Sequence, residues 1–169
     1  MFKTLRRILK HRWLDESDTH RAVPPAMVKR LMQRVAASEK RHSGEIRICV
    51  EAGLPMSYLW RGATARERAV TLFGKLRVWD TEHNNGVLVY LLLAEHAIEL
   101  VADRGLNQHV PPAEWRAMTR RMGQAFSERR FEDGLTQALE ELSAVLVRHF
   151  PLAEGEQHHN ELPDRPVLG

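Results

Sequence analysis

VWDTEHNNGVLVYLLLAEHAIELVADRG, residues 78–105, is the stretch on which the fold turns. Its middle, Val87–Leu93, is continuously apolar and bounded by polar turns. A run of that length reads as a strand, and one that is apolar on both faces belongs in the centre of a sheet covered on each side. Glu95–His96 leaves room only for a tight connection, so Ala97–Ala102 returns beside it as an antiparallel partner. Asp103–Arg104–Gly105 is a turn, and Asn85–Gly86 supplies turn chemistry in front of the central strand.

Working outward, Glu45–Glu51 alternates charged and apolar residues and predicts a strand with one partly exposed face, stopped by Gly53–Pro55. Pro24–Pro25 opens a helix carrying Met27, Leu31, Met32 and Val35 to about Ser38. A second helix spans about Thr64–Leu76, with Thr64 and Glu67 at capping-box spacing. Pro111–Pro112 opens a third, with Trp115, Met118, Met122 and Phe126 on one face. A fourth, from near Gly134 to Phe150–Pro151, turns Leu135, Leu139, Leu142 and Leu146 inward. The order helix, strand, helix, strand, strand, helix, helix predicts an α/β fold, a three-layer α/β/α sandwich with a small mixed sheet. One folded domain is expected over 24–151, between a basic amphipathic segment over 1–23 and a polar tail over 152–169 without regular structure.

The chain has 169 residues, 43% of them apolar, and a net charge of +3. That suffices for one core without staples. The single cysteine, Cys49, sits in an apolar run and reads as a buried core residue. The positive charge is uneven: Lys3, Arg6, Arg7, Lys10 and Arg12 crowd the N-terminus, while Glu154, Glu156, Glu161 and Asp164 mark the other end. This is not a nucleic-acid footprint. No apolar run is long enough to span a membrane, and charges interrupt the N-terminus where a secretory leader would be apolar, so the cytoplasm is the expected compartment. Residues 1–14 predict an amphipathic helix. Phe2, Leu5, Leu9 and Trp13 form its apolar face, joined by Ile8, with Arg6 among the basic residues beside them. Such a helix suits an anionic membrane surface at the inner membrane; docking on its own domain or self-association fits the same pattern.

Asp80, Glu82 and Asn84 stand at alternate positions, a spacing at which oxygen ligands in a tight loop converge on a hard cation. The position of Gly86 and the missing distal glutamate exclude an EF-hand. A central strand begins at the same sheet edge at which its antiparallel neighbour ends, so Asp103 comes to the rim that holds Asp80. Plain turn chemistry accounts for the same residues, with Asp80 and Asp103 bonding their own backbone. His83, His158 and His159 lack the spacing that zinc sites favour. Phosphate-loop, nucleophile-elbow and dinucleotide signatures are absent.

Trp79–Asp80 with Asn85–Gly86–Val87–Leu88–Val89, then Ile98–Glu99–Leu100–Val101 with Gly105–Leu106, then Phe126 with Phe131–Glu132–Asp133–Gly134–Leu135, together resemble the TPM domain. The resemblance runs from about Glu45 to Phe150 and is closest in wording to short bacterial members with a basic N-terminus and no membrane anchor. It implies a mixed sheet between helices and a Ca2+ or Mg2+ site. Carried onto this chain, the site is Asp80 with the adjoining Asn84 and Asn85; many relatives have glycine or another residue where Asp103 stands. Two functions follow as expectations. One is a divalent-cation-binding interaction domain that engages a membrane-associated protein partner. The other is a metal-dependent phosphatase, in which a cation on Asp80, Glu82 and Asp103 polarises a phosphoryl oxygen and Glu82 or His83 moves a proton.

Overall fold

The computed structural model describes residues 2–169, with side chains from Leu5 onward, so the contact expected of Phe2 lies outside the described side chains. Among these residues the sheet has four strands: β1 (Ile46–Glu51), β2 (Val87–Leu92), β3 (Ala97–Ala102) and β4 (Val167–Leu168), in the order β3-β2-β1-β4. β2 runs parallel to β1 and antiparallel to β3, which makes the sheet mixed as expected. The β2–β3 reversal closes on His96, whose φ of 50° is left-handed. Every residue of β2 is buried, in keeping with its unbroken apolar sequence.

Among the described residues, eight α-helices surround the sheet: α1 (Phe2–Arg12), α2 (Glu16–Ala22), α3 (Pro25–Glu39), α4 (Met56–Trp60), α5 (Ala65–Lys75), α6 (Arg104–Asn107), α7 (Pro112–Ser127) and α8 (Phe131–His149). Strand alternation divides the core in two. Ile46, Ile48, Val50, Val87, Val89 and Leu91 face α3, α7 and α8, where Leu31, Val35, Met122, Phe126, Leu139 and Leu142 complete one cluster. Cys49, Leu88, Tyr90 and Leu92 face the other way, onto Ala69 and Leu72 of α5 and Leu59 of α4. Each large apolar side chain buried this way contributes roughly 1.5–3 kcal/mol. Burial first, then the charge of Glu51, pushes the Cys49 thiol up to about 12, so it stays a protonated core group.

On the α5 face, Arg68 and Glu51 form a two-pronged ion pair, with Arg68 Nε donating to Glu51 Oε2 at 2.9 Å and Tyr90 Oη donating to the same oxygen at 2.8 Å. Both charged side chains are largely shielded, so each depends on the other. Thr64 caps α5 as expected, with Glu67 returning its carboxylate to the Thr64 amide in a reciprocal box.

Three short helices stand where loops were expected. α2 is started by Asp15, whose side chain accepts from Ser17 N while Asp18 reaches back to Asp15 N. α6 is started by Asp103, and α4 follows Pro55. The tail also departs from expectation. Its last residues form β4, pairing Cys49 with Val167 and Val50 with Leu168 in parallel register. Gly169 N donates to Val50 O at 2.9 Å, and Gly169 O accepts from Ala52 N at 2.8 Å. Main-chain bonds to an otherwise open strand edge hold it, and these leave no periodicity in the side chains.

Candidate functional site

In register, Ile46 pairs with Val87 and Val87 with Ala102, so β1 and β2 start, and β3 ends, at one rim of the sheet. The loop from Trp79 to Gly86 closes over this rim. It is folded by short-range bonds: Asn84 N donates to Thr81 O at 3.2 Å, and Asn85 N donates to Thr81 Oγ1 at 3.1 Å. Asn84 adopts a left-handed φ of 51°, which asparagine tolerates better than most residues. Gly86 is required by space, because a Cβ there would lie 2.0 Å from Val78 O.

The turn after β3 docks onto this loop through its backbone. Asp103 N donates to Gly86 O at 2.9 Å, and Gly105 N donates to Asn84 O at 2.9 Å. Gly105 permits the approach; a Cβ at that position would stand 2.5 Å from Asn84 O and 2.7 Å from His83 O. Arg104 clamps the pair from outside, donating from Nε and Nη2 to Asn84 Oδ1 at 3.0 and 2.8 Å. The Asn-Gly and Asp-Arg-Gly sequences are thus two halves of one contact.

The individual side chains differ in what they offer. Asp103 Oδ1 accepts from Arg104 N at 2.6 Å, while its Oδ2 is buried with no hydrogen-bond partner among the described residues. Asn85 is fully buried; its Nδ2 donates to Ser43 Oγ at 3.1 Å, and its Oδ1 also lacks a partner. Asp80 is exposed and bound by Arg77, whose Nη2 donates to Oδ2 at 2.7 Å. Glu82 is exposed, and its amide donates to the Glu161 carboxylate at 3.2 Å. The rim therefore gathers the Asp103 carboxylate, the amides of Asn84 and Asn85, and loop carbonyls. Asp80 is held aside by a neighbour three residues earlier.

Sequence reasoning overlooked a second constellation. Among the described residues, Glu39, Glu45 and His158 are the one group of three acidic or histidine side chains whose ligand atoms lie within 4.8 Å of one another. They come from the end of α3, the approach to β1 and the tail. No local spacing could have announced them.

At the other end of the chain, α1 is docked on its own domain. Arg7 Nε donates to Glu95 Oε1 at 2.7 Å, and Arg7 Nη2 donates to Ala63 O at 2.7 Å. His11 is buried, with Nδ1 accepting from Leu54 N at 2.9 Å and Nε2 lying 2.9 Å from Glu95 Oε1. Burial holds its pKa below the ordinary histidine value. Leu5, Leu9 and Trp13 nonetheless stay 55%, 52% and 86% exposed. Leu9 and Trp13 line a groove of about 750 Å³ with Arg6, Lys10, Arg21 and Arg129. Among the described residues, no helix is long and apolar enough to cross a membrane.

Comparison with known proteins agrees with this architecture. A family model described as the TPM domain matches residues 17–145. The NMR structure of the BA42 protein from the psychrophilic bacterium Bizionia argentinensis superposes with a TM-score of 0.71 at 26% identity, covering 83% of this chain and 91% of that one. The solution NMR structure of the N-terminal domain of a protein from P. gingivalis gives a TM-score of 0.61 at 18% identity, covering 81% of this chain and 83% of that domain, and shows the shared fold. No curated protein matches.

Proposed function

This chain belongs to the TPM domain family, and on that footing we propose that it is a divalent-cation-binding interaction domain whose ion, Ca2+ or Mg2+, binds between the loop 79–86 and Asp103. The observation that carries this reading is the buried Asp103 Oδ2, left without a partner where the two segments meet; Asn85 Oδ1, in the loop beside Ser43, is likewise unpartnered among the described residues. A buried acceptor with nothing to bind is unfavourable by about 1–3 kcal/mol. Carboxylate, amide and backbone oxygens are the donor types that hard cations take up. Asp80 would join the ion by exchanging Arg77 for it. The bound cation would fix the loop against the turn and so present a rigid rim to a protein partner. The exposed Leu5, Leu9 and Trp13, bordered by Arg6, Lys10, Arg21 and Arg129, suit an anionic membrane surface beside that partner.

Heteronuclear NMR titration with Ca2+ and Mg2+ tests the cation site. Saturable shifts confined to residues 79–86 and 103–105, lost in Asp80→Ala and Asp103→Asn, support it; shifts scattered over surface acids overturn it. A phosphomonoester assay on the same samples separates the two functions. No turnover with saturable binding supports the interaction domain, and turnover that vanishes in Asp80→Ala establishes the metal-dependent phosphatase instead. Co-sedimentation with anionic vesicles, lost when Leu9 and Trp13 are replaced by aspartate, tests the membrane contact. Equal sedimentation of that variant removes it.

A further inference from the structure

The structure carries a second cluster that neither the family nor the loop explains. Glu39 and Glu45 are buried carboxylates held by the backbone. Glu39 Oε1 accepts from Ile46 N at 3.0 Å. Glu45 Oε1 and Oε2 accept from Glu161 N and Leu162 N at 2.9 and 3.2 Å, which ties the tail down beside them. That tail delivers His158, whose side chain is only 9% exposed. His158 Nδ1 lies 3.1 Å from the His42 carbonyl oxygen, which can only accept, so Nδ1 is the donor of that contact. Nε2 faces the two carboxylates, 3.0 Å from Glu45 Oε1 and 3.9 Å from Glu39 Oε2. It is buried and has no hydrogen-bond partner among the described residues.

We infer that Glu39, Glu45 and His158 form a binding site for one divalent first-row transition ion, Zn2+ being the representative case. The donor set is one imidazole nitrogen and two carboxylates, which suits a borderline ion and differs from the all-oxygen set at the loop. The geometry agrees. Zinc bonds of about 2.0–2.1 Å in a tetrahedron set ligand atoms roughly 3.3 Å apart, and the observed 3.0 and 3.9 Å lie on either side of that. A ligating histidine that donates its other ring N–H to a backbone carbonyl is the arrangement that fixes tautomer and orientation. A groove of about 400 Å³ lined by Glu39, His158, Asn160 and Asp164 opens beside two of the three ligands. His158 lies beyond residue 145 and so outside the residues that the family model matches.

Chelator-treated wild type is titrated with ZnCl2 by calorimetry and with CoCl2 by visible absorption. One equivalent per chain is expected, with the ligand-field bands of a four- or five-coordinate cobalt site. His158→Ala should weaken binding by at least about 100-fold, the upper end of what a change behind a ligand produces. Asp80→Ala should retain binding, so the loop site and this one fail independently. A readout on unmutated protein guards against misfolding: the ¹⁵N resonance of His158 Nε2 should shift with zinc while Nδ1 keeps its proton. Absence of zinc and cobalt uptake by wild type, equal uptake by His158→Ala, or an unshifted His158 Nε2 at zinc saturation overturns the inference.

Discussion

Replacing Gly105 by alanine measures how closely the post-β3 turn must approach the loop. The added methyl would meet three backbone atoms, Asn84 O at 2.5 Å, His83 O at 2.7 Å and Asn84 C at 3.1 Å, none of which can rotate away. Relief requires the loop and the turn to separate by most of an ångström. That separation stretches the Gly105 N to Asn84 O bond and the double contact of Arg104 with Asn84 Oδ1. One neutral backbone bond is worth about 0.5–1.5 kcal/mol and one to a charged group about 1.5–3. The expected destabilisation is therefore roughly 2–4 kcal/mol, or a fall in Tm of about 5–15 °C for a chain of this size. Urea unfolding gives the first number and differential scanning calorimetry the second. Gly123→Ala is the control: nothing lies within 4 Å of a Cβ there, and it sits inside α7, so alanine should raise stability by about 0.5–1 kcal/mol. If the proposed cation site is right, Gly105→Ala should also weaken calcium uptake there, because it moves the loop away from Asp103. A Gly105→Ala protein that unfolds within about 0.5 kcal/mol of the parent would refute the argument from close approach.

Arg68→Met leaves the shielded Glu51 carboxylate with only the Tyr90 hydroxyl and should cost about 3–5 kcal/mol, most of it recovered in the Arg68→Met/Glu51→Leu double variant; urea unfolding of the set checks both statements. Arg129 occupies the left-handed position ending α7, with φ 60° and Arg130 N bonded back to Ala125 O, so Arg129→Gly should raise stability by about 0.5–1 kcal/mol by the same measurement. His11 resists protonation when folded because it is buried, with Nδ1 already accepting from Leu54 N. Below its unfolded value of 6.5 the unfolded chain takes up the proton more readily, so stability is complete above that pH and falls as pH drops below it. Unfolding curves at pH 7.5 and 5.5 should show a larger loss for wild type than for His11→Asn; equal losses would contradict the assignment.

The sheet was legible because its centre is written in side chains. Val87–Leu92 is apolar on both faces, Ala97–Ala102 follows too closely to be anything but a hairpin partner, and the stripes on α3, α7 and α8 fit the face they cover. The meeting of the loop with Asp103 followed from strand direction, and the Asp103 N to Gly86 O bond places both at one rim. The partner of Asp80 was not legible. Arg77 reaches it from three residues earlier while itself taking a left-handed φ of 56°, which turn propensities do not signal. The tail was hidden for a different reason. Its attachment runs through main-chain bonds to β1 and through the buried Glu45 carboxylate, and neither leaves an apolar pattern. His158 lay out of view with it, since its companions Glu39 and Glu45 come from distant parts of the chain.

Terbium luminescence tests the proposed cation site at the loop most directly. Tb3+ stands in for Ca2+ as a hard, oxygen-seeking ion, and the half-exposed Trp79 adjoins Asp80 and can sensitise its emission. Sensitised emission should saturate at one ion per chain, be displaced by Ca2+, and be lost in Asp103→Asn, a variant that keeps the side-chain cap on α6. Emission of equal strength from wild type, Asp80→Ala and Asp103→Asn would mean that the buried oxygens at this rim do not hold a cation.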